Sequence, residues 1–137
     1  MKPGLTAGMT KTMRVVVDTD RSIGFMGEAL RVYATPSMVR DVETACKDFL
    51  GEYLTPEENS VGARVEIDHL GPTLLGMWVD VIATVTGVEG RRTNFEVEVR
   101  DALDVVGKAK HTRFVVDLAK QKERLEAKAA KLAALGK

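Results

Sequence analysis

The sequence contains few of the side chains that build metal centres and covalent crosslinks. Its 137 residues include one cysteine, Cys46, and two histidines, His69 and His111. A lone cysteine excludes a disulfide within the chain and a thiolate-rich zinc or iron–sulfur site. The two histidines belong to no recognisable metal-binding motif. We therefore expect no bound metal, and the cysteine usage favours a reducing compartment.

Long apolar segments are also missing. No apolar run approaches the length that spans a membrane, and the first twelve residues lack the apolar core of a signal peptide. These features predict a cytoplasmic protein without a membrane partner.

The chain as a whole carries no excess of positive or negative charge. Twenty Lys and Arg residues balance twenty Asp and Glu residues, which argues against a nucleic-acid partner. The distribution is uneven, because residues 118–137 hold six basic and two acidic side chains. The body of the protein is therefore mildly acidic and its C-terminal segment basic.

The clearest helix signal begins at Thr35. Thr35 and Pro36 fit an N-cap followed by proline at the first helical position, and Gly51 fits a helix end. Apolar residues recur between them at helical spacing, which predicts a helix to about Leu50 with Glu43 at the edge of its apolar stripe. The stripe consists of Met38, Val39, Val42, Ala45, Cys46, Phe49 and Leu50.

β-branched and alternating segments predict five strands. They cover residues 13–18, 61–70, 77–88, 93–101 and 105–116. No long helix separates the last four, so we expect them to pair antiparallel through short connections. One such sheet packed on one helix is an α+β architecture.

Two further segments have distinct compositions. Residues 18–31 combine glycines with apolar side chains and predict an irregular loop that covers other parts of the molecule. From Leu118 the sequence is rich in Ala, Lys, Glu and Leu, which predicts a terminal helix. The length suits one hydrophobic core, so we expect residues 1–137 to form a single domain in which 118–137 is a basic C-terminal helix.

Few residues in the sequence have side chains suited to catalysis. Glu43 can act as a general base or nucleophile if a neighbour positions it, although glutamates at a stripe edge are often only solvated. His69, on a predicted strand, fits a base, a hydrogen-bond donor or a surface residue. Thr35 is explained by capping, Arg113 by an outward-facing strand position and Cys46 by core packing.

The order and spacing of several residues resemble a known family. Segments 32–46, 60–62, 72–76 and 88–92, together with His69 and residues 111–113, are similar to the fluoroacetyl-CoA thioesterase family of hotdog-fold proteins. The similarity extends from about residue 15 to residue 116. It implies a hotdog fold, in which an antiparallel sheet wraps around one long helix, here with an extra C-terminal helix.

The resemblance also implies roles for individual residues. It places the family's catalytic threonine, glutamate and histidine at Thr35, Glu43 and His69. Its active-site glycine corresponds to Gly62, and its substrate-gating arginine corresponds to Arg113.

The acyl pocket is expected to involve residues before and within the start of the helix. Where the family has aromatic lid residues, this chain has Met26 and Ala29, with Phe25 nearby. We expect Met26 and Tyr33 to contact the substrate.

The implied activity is hydrolysis of a short or small acyl-CoA thioester to the free acid and coenzyme A. No cofactor is expected beyond the coenzyme A of the substrate, whose phosphates have candidate partners in Arg91, Arg92, Lys108 and Lys110. Two alternatives are a non-catalytic hotdog module that binds acyl-CoA or an acyl carrier, and a hotdog hydratase or dehydratase. The presence of Glu43 and His69 argues against the binding module, and Thr35 with Glu43 on the helix suits a thioesterase better than a hydratase or dehydratase.

An exposed edge strand also predicts a homodimer, and the sequence leaves open whether two dimers form a tetramer. Thr35 and Glu43 lie about 12 Å apart along a helix axis, so direct contact within one chain is not expected. A site between subunits would let Thr35 of one chain face Glu43 or His69 of the other.

Overall fold

One antiparallel sheet and two helices make up most of the protein. The computed structural model describes residues 1–136. Its elements in chain order are β1 (Thr10–Val16), β2 (Ser22–Ile23), β3 (Val32–Tyr33), α1 (Thr35–Gly51), β4 (Glu58–His69), β5 (Trp78–Glu89), β6 (Arg92–Arg100), β7 (Val105–Asp117) and α2 (Leu118–Ala134).

The main sheet has the strand order β1-β5-β6-β7-β4, with every neighbouring pair antiparallel. The predicted antiparallel pairing of the last four strands is confirmed. The first strand begins at Thr10, three residues before its predicted start, because its pairing with β5 continues to Thr84. The hydroxyl groups of these two threonines are hydrogen-bonded at 2.9 Å.

Helix α1 packs its apolar stripe against the inner face of the sheet. Six of the seven predicted stripe residues are buried, and Val39 is half-buried. Cys46 is fully buried, as predicted for a core residue, and burial raises the pKa of its thiol to about 12. Asp41 is also buried, which the apolar pattern did not predict.

The predicted capping role of Thr35 is wrong. Ala34 is the N-cap residue of α1, Thr35 is already helical, and no side chain caps the helix start. Instead, the Thr35 hydroxyl is hydrogen-bonded to a side chain at the end of β4, and this interaction replaces the capping bond.

Helix α2 projects from the end of β7, and none of its residues is buried. It begins at Leu118 as predicted, and the carboxylate of Asp117 accepts a hydrogen bond from the backbone N–H of Lys120. No helix among residues 1–136 has the length and apolar content needed to cross a membrane.

The loop over residues 18–31 is more ordered than predicted. Strand β2 pairs with β3, and a single 3-10 turn covers Glu28–Leu30. Phe25 at its tip is 80% exposed and Met26 is 48% exposed, so the loop presents apolar side chains to its surroundings.

Candidate active site

The start of α1 meets the end of β4 through a hydrogen bond between Thr35 and His69. Thr35 Oγ1 and His69 Nδ1 are 2.7 Å apart. Burial lowers the pKa of His69, and a hydrogen bond with the Gly71 backbone opposes that change. The imidazole is therefore neutral near pH 7 and able to accept a proton. The contact is formed within one chain, so Thr35 does not require the partner's histidine.

A hydrogen-bonded network of Tyr33, Asp41 and Arg21 packs against His69. The ring of Tyr33 meets the His69 ring edge-on, with centroids 6.2 Å apart. The Tyr33 hydroxyl donates to the carboxylate of Asp41, which also accepts two hydrogen bonds from Arg21. Burial and the Asp41 charge raise the pKa of Tyr33, which keeps it a neutral donor. This network joins the base of the 18–31 loop to α1 and fixes the ring beside His69.

Glu43 lies eight residues after Thr35, beside β4 and β7. Its side chain is 43% exposed, and Oε2 is 3.9 Å from Nη1 of Arg113. A groove of about 300 Å³ opens here along α1 from Pro36 to Lys47, with Glu43 and Arg113 in its lining. The carboxylate is therefore reachable from solvent and faces a buried cation.

Arg113 points inward, and it is 4% exposed. Its Nε donates to Ser60 Oγ at 2.8 Å, and its Nη2 donates to the Ser60 carbonyl at 2.9 Å. Burial lowers the pKa of the guanidinium, and the Glu43 carboxylate raises it. Because an arginine stays protonated under these conditions, a fixed positive charge faces Glu43. The outward-facing alternative for Arg113 is wrong.

His111 was not predicted as a site residue, although the resemblance included its segment. It is buried, and Nδ1 lies 2.7 Å from the carbonyl oxygen of Arg64. Its Nε2 lies 3.1 Å from Nη1 of Arg113. Because a carbonyl only accepts and a guanidinium only donates, His111 must be neutral with its proton on Nδ1. It therefore holds the Arg113 nitrogen that is nearest Glu43.

A β-bulge places both parts of the site on the same face of β4. Gly62 and His69 are seven residues apart, so a regular strand would direct them to opposite faces. The register with β7 shifts between Gly62 and Arg64, which inserts one extra residue. As a result Gly62 faces Glu43, and His69 faces Thr35.

The structure therefore forms two groups within one chain. Thr35 is paired with His69, and Glu43 is grouped with Gly62 and Arg113. The predicted substrate contacts differ in position: Tyr33 is fully buried behind His69, whereas Met26 is half-exposed on the loop. Among residues 1–136, no three His, Cys, Asp or Glu side chains are grouped in a way that would hold a metal ion.

Comparison with known proteins identifies the family. A family model for fluoroacetyl-CoA-specific thioesterases matches residues 17–119. The chain belongs to this family. It is 33% identical over 127 residues to the fluoroacetyl-CoA thioesterase of Streptantibioticus cattleyicolor, a match covering 88% of this chain and 91% of that enzyme. The family predicted from the residue pattern is confirmed.

Solved structures agree with this assignment to the fluoroacetyl-CoA thioesterase family. The crystal structure of a single-residue variant of the fluoroacetyl-CoA-specific thioesterase matches with a TM-score of 0.83 at 32% identity, covering 93% of this chain and 99% of that one. A thioesterase superfamily member from Thermus thermophilus matches with a TM-score of 0.87 at 28% identity, covering 98% and 99%. The predicted hotdog fold is confirmed, and so is the predicted enzyme class, a thioester hydrolase.

Gly62→Ala is expected to reduce activity in this family member without unfolding it. A Cβ at this position would lie 3.2 Å from Glu43 Oε2 and 3.3 Å from His111 Cε1, so the carboxylate must shift. We expect kcat/KM to fall by about 10-fold to 100-fold with little change in melting temperature, because Gly62 does not need a positive φ. Gly87→Ala is the matched control, since a Cβ there meets nothing within 4 Å. Equal effects of the two substitutions would contradict this prediction.

Acidification is expected to destabilise the protein partly through His111. Burial lowers its folded-state pKa, with the Arg113 charge acting in the same direction. The unfolded chain therefore binds more protons than the folded protein below about pH 6.5, the ordinary histidine value. The stability that neutral His111 contributes is present above that pH and is lost as the pH falls towards the folded-state pKa.

His111→Gln keeps an acceptor for Arg113 but does not titrate. Urea unfolding should be measured at about pH 7 and about pH 5.5. Between these values the free energy of unfolding should fall less in the variant than in wild type, and the two slopes should differ by at most about 1.4 kcal/mol per pH unit. The remaining slope belongs to groups such as His69, whose pKa is also lowered. Identical slopes in variant and wild type would show that His111 does not contribute.

Proposed function

We propose that the protein hydrolyses a short or small acyl-CoA thioester to the free acid and coenzyme A. The observation that carries this proposal is the solvent-accessible carboxylate of Glu43, held beside buried Arg113 in an open groove. A carboxylate in this setting can attack a thioester carbonyl or deprotonate a water molecule. The activity of the related fluoroacetyl-CoA thioesterases supports the substrate class.

Either role of Glu43 gives a balanced reaction. As nucleophile, its oxygen bonds to the carbonyl carbon, the C–S bond breaks, and coenzyme A leaves as a thiolate that takes up a proton. Water then hydrolyses the acyl–glutamyl anhydride. As base, Glu43 takes a proton from water while the hydroxide oxygen bonds to the same carbon; the C–S bond then breaks, and the coenzyme A thiolate takes up the proton that Glu43 accepted. In both cases Thr35 and His69 supply a hydroxyl and a neutral imidazole that can polarise the carbonyl through hydrogen bonds.

The active form is a homodimer, either alone or as half of a tetramer. Strand β4 is a sheet edge of twelve residues, and it exposes Val61 and Val65. An exposed edge of this length is a template for pairing with a second chain. Two β4 strands related by a two-fold axis would extend the sheet across both subunits.

This pairing would complete the active site. If the two-fold axis passes through Glu66, Gly62 lies opposite His69 of the partner subunit, because the bulge removes one residue from the count between them. Because opposite residues of an antiparallel pair face the same side, Glu43 of one subunit then lies near the partner subunit's Thr35 and the partner subunit's His69. Each dimer would contain two such sites.

Residues 1–137 act as one domain, and the protein is cytoplasmic. The reaction requires no cofactor, since coenzyme A enters as part of the substrate. These expectations rest on the sequence pattern and on the simple chemistry of thioester hydrolysis.

Free-thiol release from a panel of acyl-CoAs tests the proposed function. Acetyl-, fluoroacetyl-, propionyl- and butyryl-CoA are compared with a longer aryl-CoA at equal concentration. We expect the highest kcat/KM among the small acyl groups. Tight binding of coenzyme A without thiol release from any substrate would contradict the hydrolase and favour a non-catalytic acyl-CoA binding module.

A further inference from the structure

A small cavity with a basic lining lies where α2 leaves the sheet. Its volume is about 190 Å³, and its lining includes Arg91, Lys120, Arg124, Val115 and Asp117. We refer to it as the basic cavity. Arg91 comes from the turn before β6, whereas Lys120 and Arg124 are one turn apart on α2. Residues distant in the sequence thus bring three cations to one concave surface.

The positive charge of the basic cavity is only partly neutralised locally, because its lining holds three cations and one carboxylate. The single carboxylate in its lining, Asp117, already accepts the backbone N–H of Lys120 at 3.0 Å. Across the part of the chain that the structure describes, Arg91, Lys120 and Arg124 form no ion pair. The neighbouring basic residues Arg92 and Lys122 do have acidic partners. Arg92 pairs with Glu89, and Lys122 pairs with Glu126.

The basic cavity lies close to the Glu43 groove. Arg113 lines the groove and Val115 lines the basic cavity, and both are buried on the inner face of β7. Two residues along a strand span about 7 Å. Arg91 is tied to the same place, because its Nη1 donates to the Val115 carbonyl at 3.4 Å. The two features are therefore neighbours along β7.

The other basic residues considered for coenzyme A are less suitable. Lys108 and Lys110 are exposed on the outer face of the sheet, away from α1. In the strand register Lys110 lies between Glu66 and Glu96. Lys108 lies between Asp68 and Glu98 in the same way. A larger cavity of about 610 Å³ covers this region, and its carboxylates would repel phosphate.

We propose that the basic cavity binds phosphate groups of coenzyme A. The proposal rests on the proposed function, because it assigns a site to the part of the substrate that does not react. Phosphate oxygens accept charge-assisted hydrogen bonds from guanidinium and ammonium groups. The acyl–sulfur end of the same molecule would then lie in the Glu43 groove.

The test compares two substrates with the same acyl group, an acyl-CoA and the corresponding acyl-pantetheine, which lacks all phosphates. The triple variant Arg91→Gln, Lys120→Gln, Arg124→Gln removes the charges of the basic cavity. We expect the KM for acyl-CoA to rise by about 10-fold or more with kcat unchanged, because binding remote from the reacting atoms is lost. Hydrolysis of acyl-pantetheine should be unchanged.

A matched control is Lys108→Gln combined with Lys110→Gln, which removes charge from the outer face and should leave both substrates unaffected. An equal loss for acyl-CoA and acyl-pantetheine in the triple variant would overturn the proposal. So would an equal rise in KM for acyl-CoA in the control.

Calorimetric binding of free coenzyme A separates this proposal from the proposed function. The triple variant should bind coenzyme A at least about 10-fold more weakly than wild type. If wild type hydrolyses no thioester but shows this difference, the proposed function fails and the phosphate site stands. If coenzyme A binds equally to both proteins, the phosphate site is wrong.

Discussion

Glu43→Gln is expected to reduce kcat/KM for acyl-CoA hydrolysis by about 1,000-fold or more. The amide has nearly the shape of the carboxylate, but it can neither attack a thioester carbonyl nor accept a proton from water. It also leaves the buried Arg113 guanidinium without the opposite charge that faces it at 3.9 Å. Free-thiol release under kcat/KM conditions measures the loss.

Asp48→Asn is the matched control, because Asp48 is an exposed carboxylate on the same helix. Its activity should remain close to that of wild type. Circular dichroism and thermal unfolding of Glu43→Gln should show a folded protein, since Glu43 is half-exposed and only one ion pair is lost. Substantial activity in a folded Glu43→Gln variant would rule out both proposed roles of this carboxylate.

The largest qualitative effect is expected from mixing two inactive chains. Glu43→Gln and His69→Asn homodimers should each be nearly inactive. A mixed dimer contains one site in which intact Glu43 meets the partner subunit's His69, also intact, and one site in which both residues are replaced. Purified mixed dimers should therefore regain about half of wild-type activity if each site combines the two subunits.

Co-expression with two different affinity tags allows the mixed dimer to be isolated. Two control dimers, each joining differently tagged copies of one variant, should stay inactive. If Glu43 and His69 act within one chain, the mixed dimer has no intact site and stays inactive as well. A monomer in solution would remove the basis of this prediction and of the two-subunit site.

The helix and the strands were predictable because they rest on local patterns. The stripe of α1 follows from helical spacing, and Met38, Val42 and Cys46 are fully buried as expected. The alternation in residues 94–100 matches β6, whose Phe95, Val97 and Val99 face the core. Strand ends were less accurate, since they depend on cross-strand partners such as the pairing of Thr10 with Thr84.

The polar interactions of the site were much less predictable. Thr35 fits an N-cap by sequence, and only the position of His69 explains why its hydroxyl points elsewhere. Asp41 breaks the apolar pattern of α1, and its burial makes sense only with Tyr33 and Arg21 as hydrogen-bond partners. The tautomer of His111 could be assigned only from its contact with the Arg64 carbonyl on β4.

The sequence by itself determined the α+β architecture, the apolar face of α1, the family and the residue types available for hydrolysis. The architecture and the apolar face follow from periodicity and composition, whereas the family follows from the resemblance in residue order and spacing. Only the tertiary structure decided which polar groups meet. The bulge after Gly62 turns Gly62 and His69 to one face of β4, and the inward turn of Arg113 supplies the charge opposite Glu43. The free edge of β4 is likewise visible only once the strand order is known, because an edge depends on which strands pair.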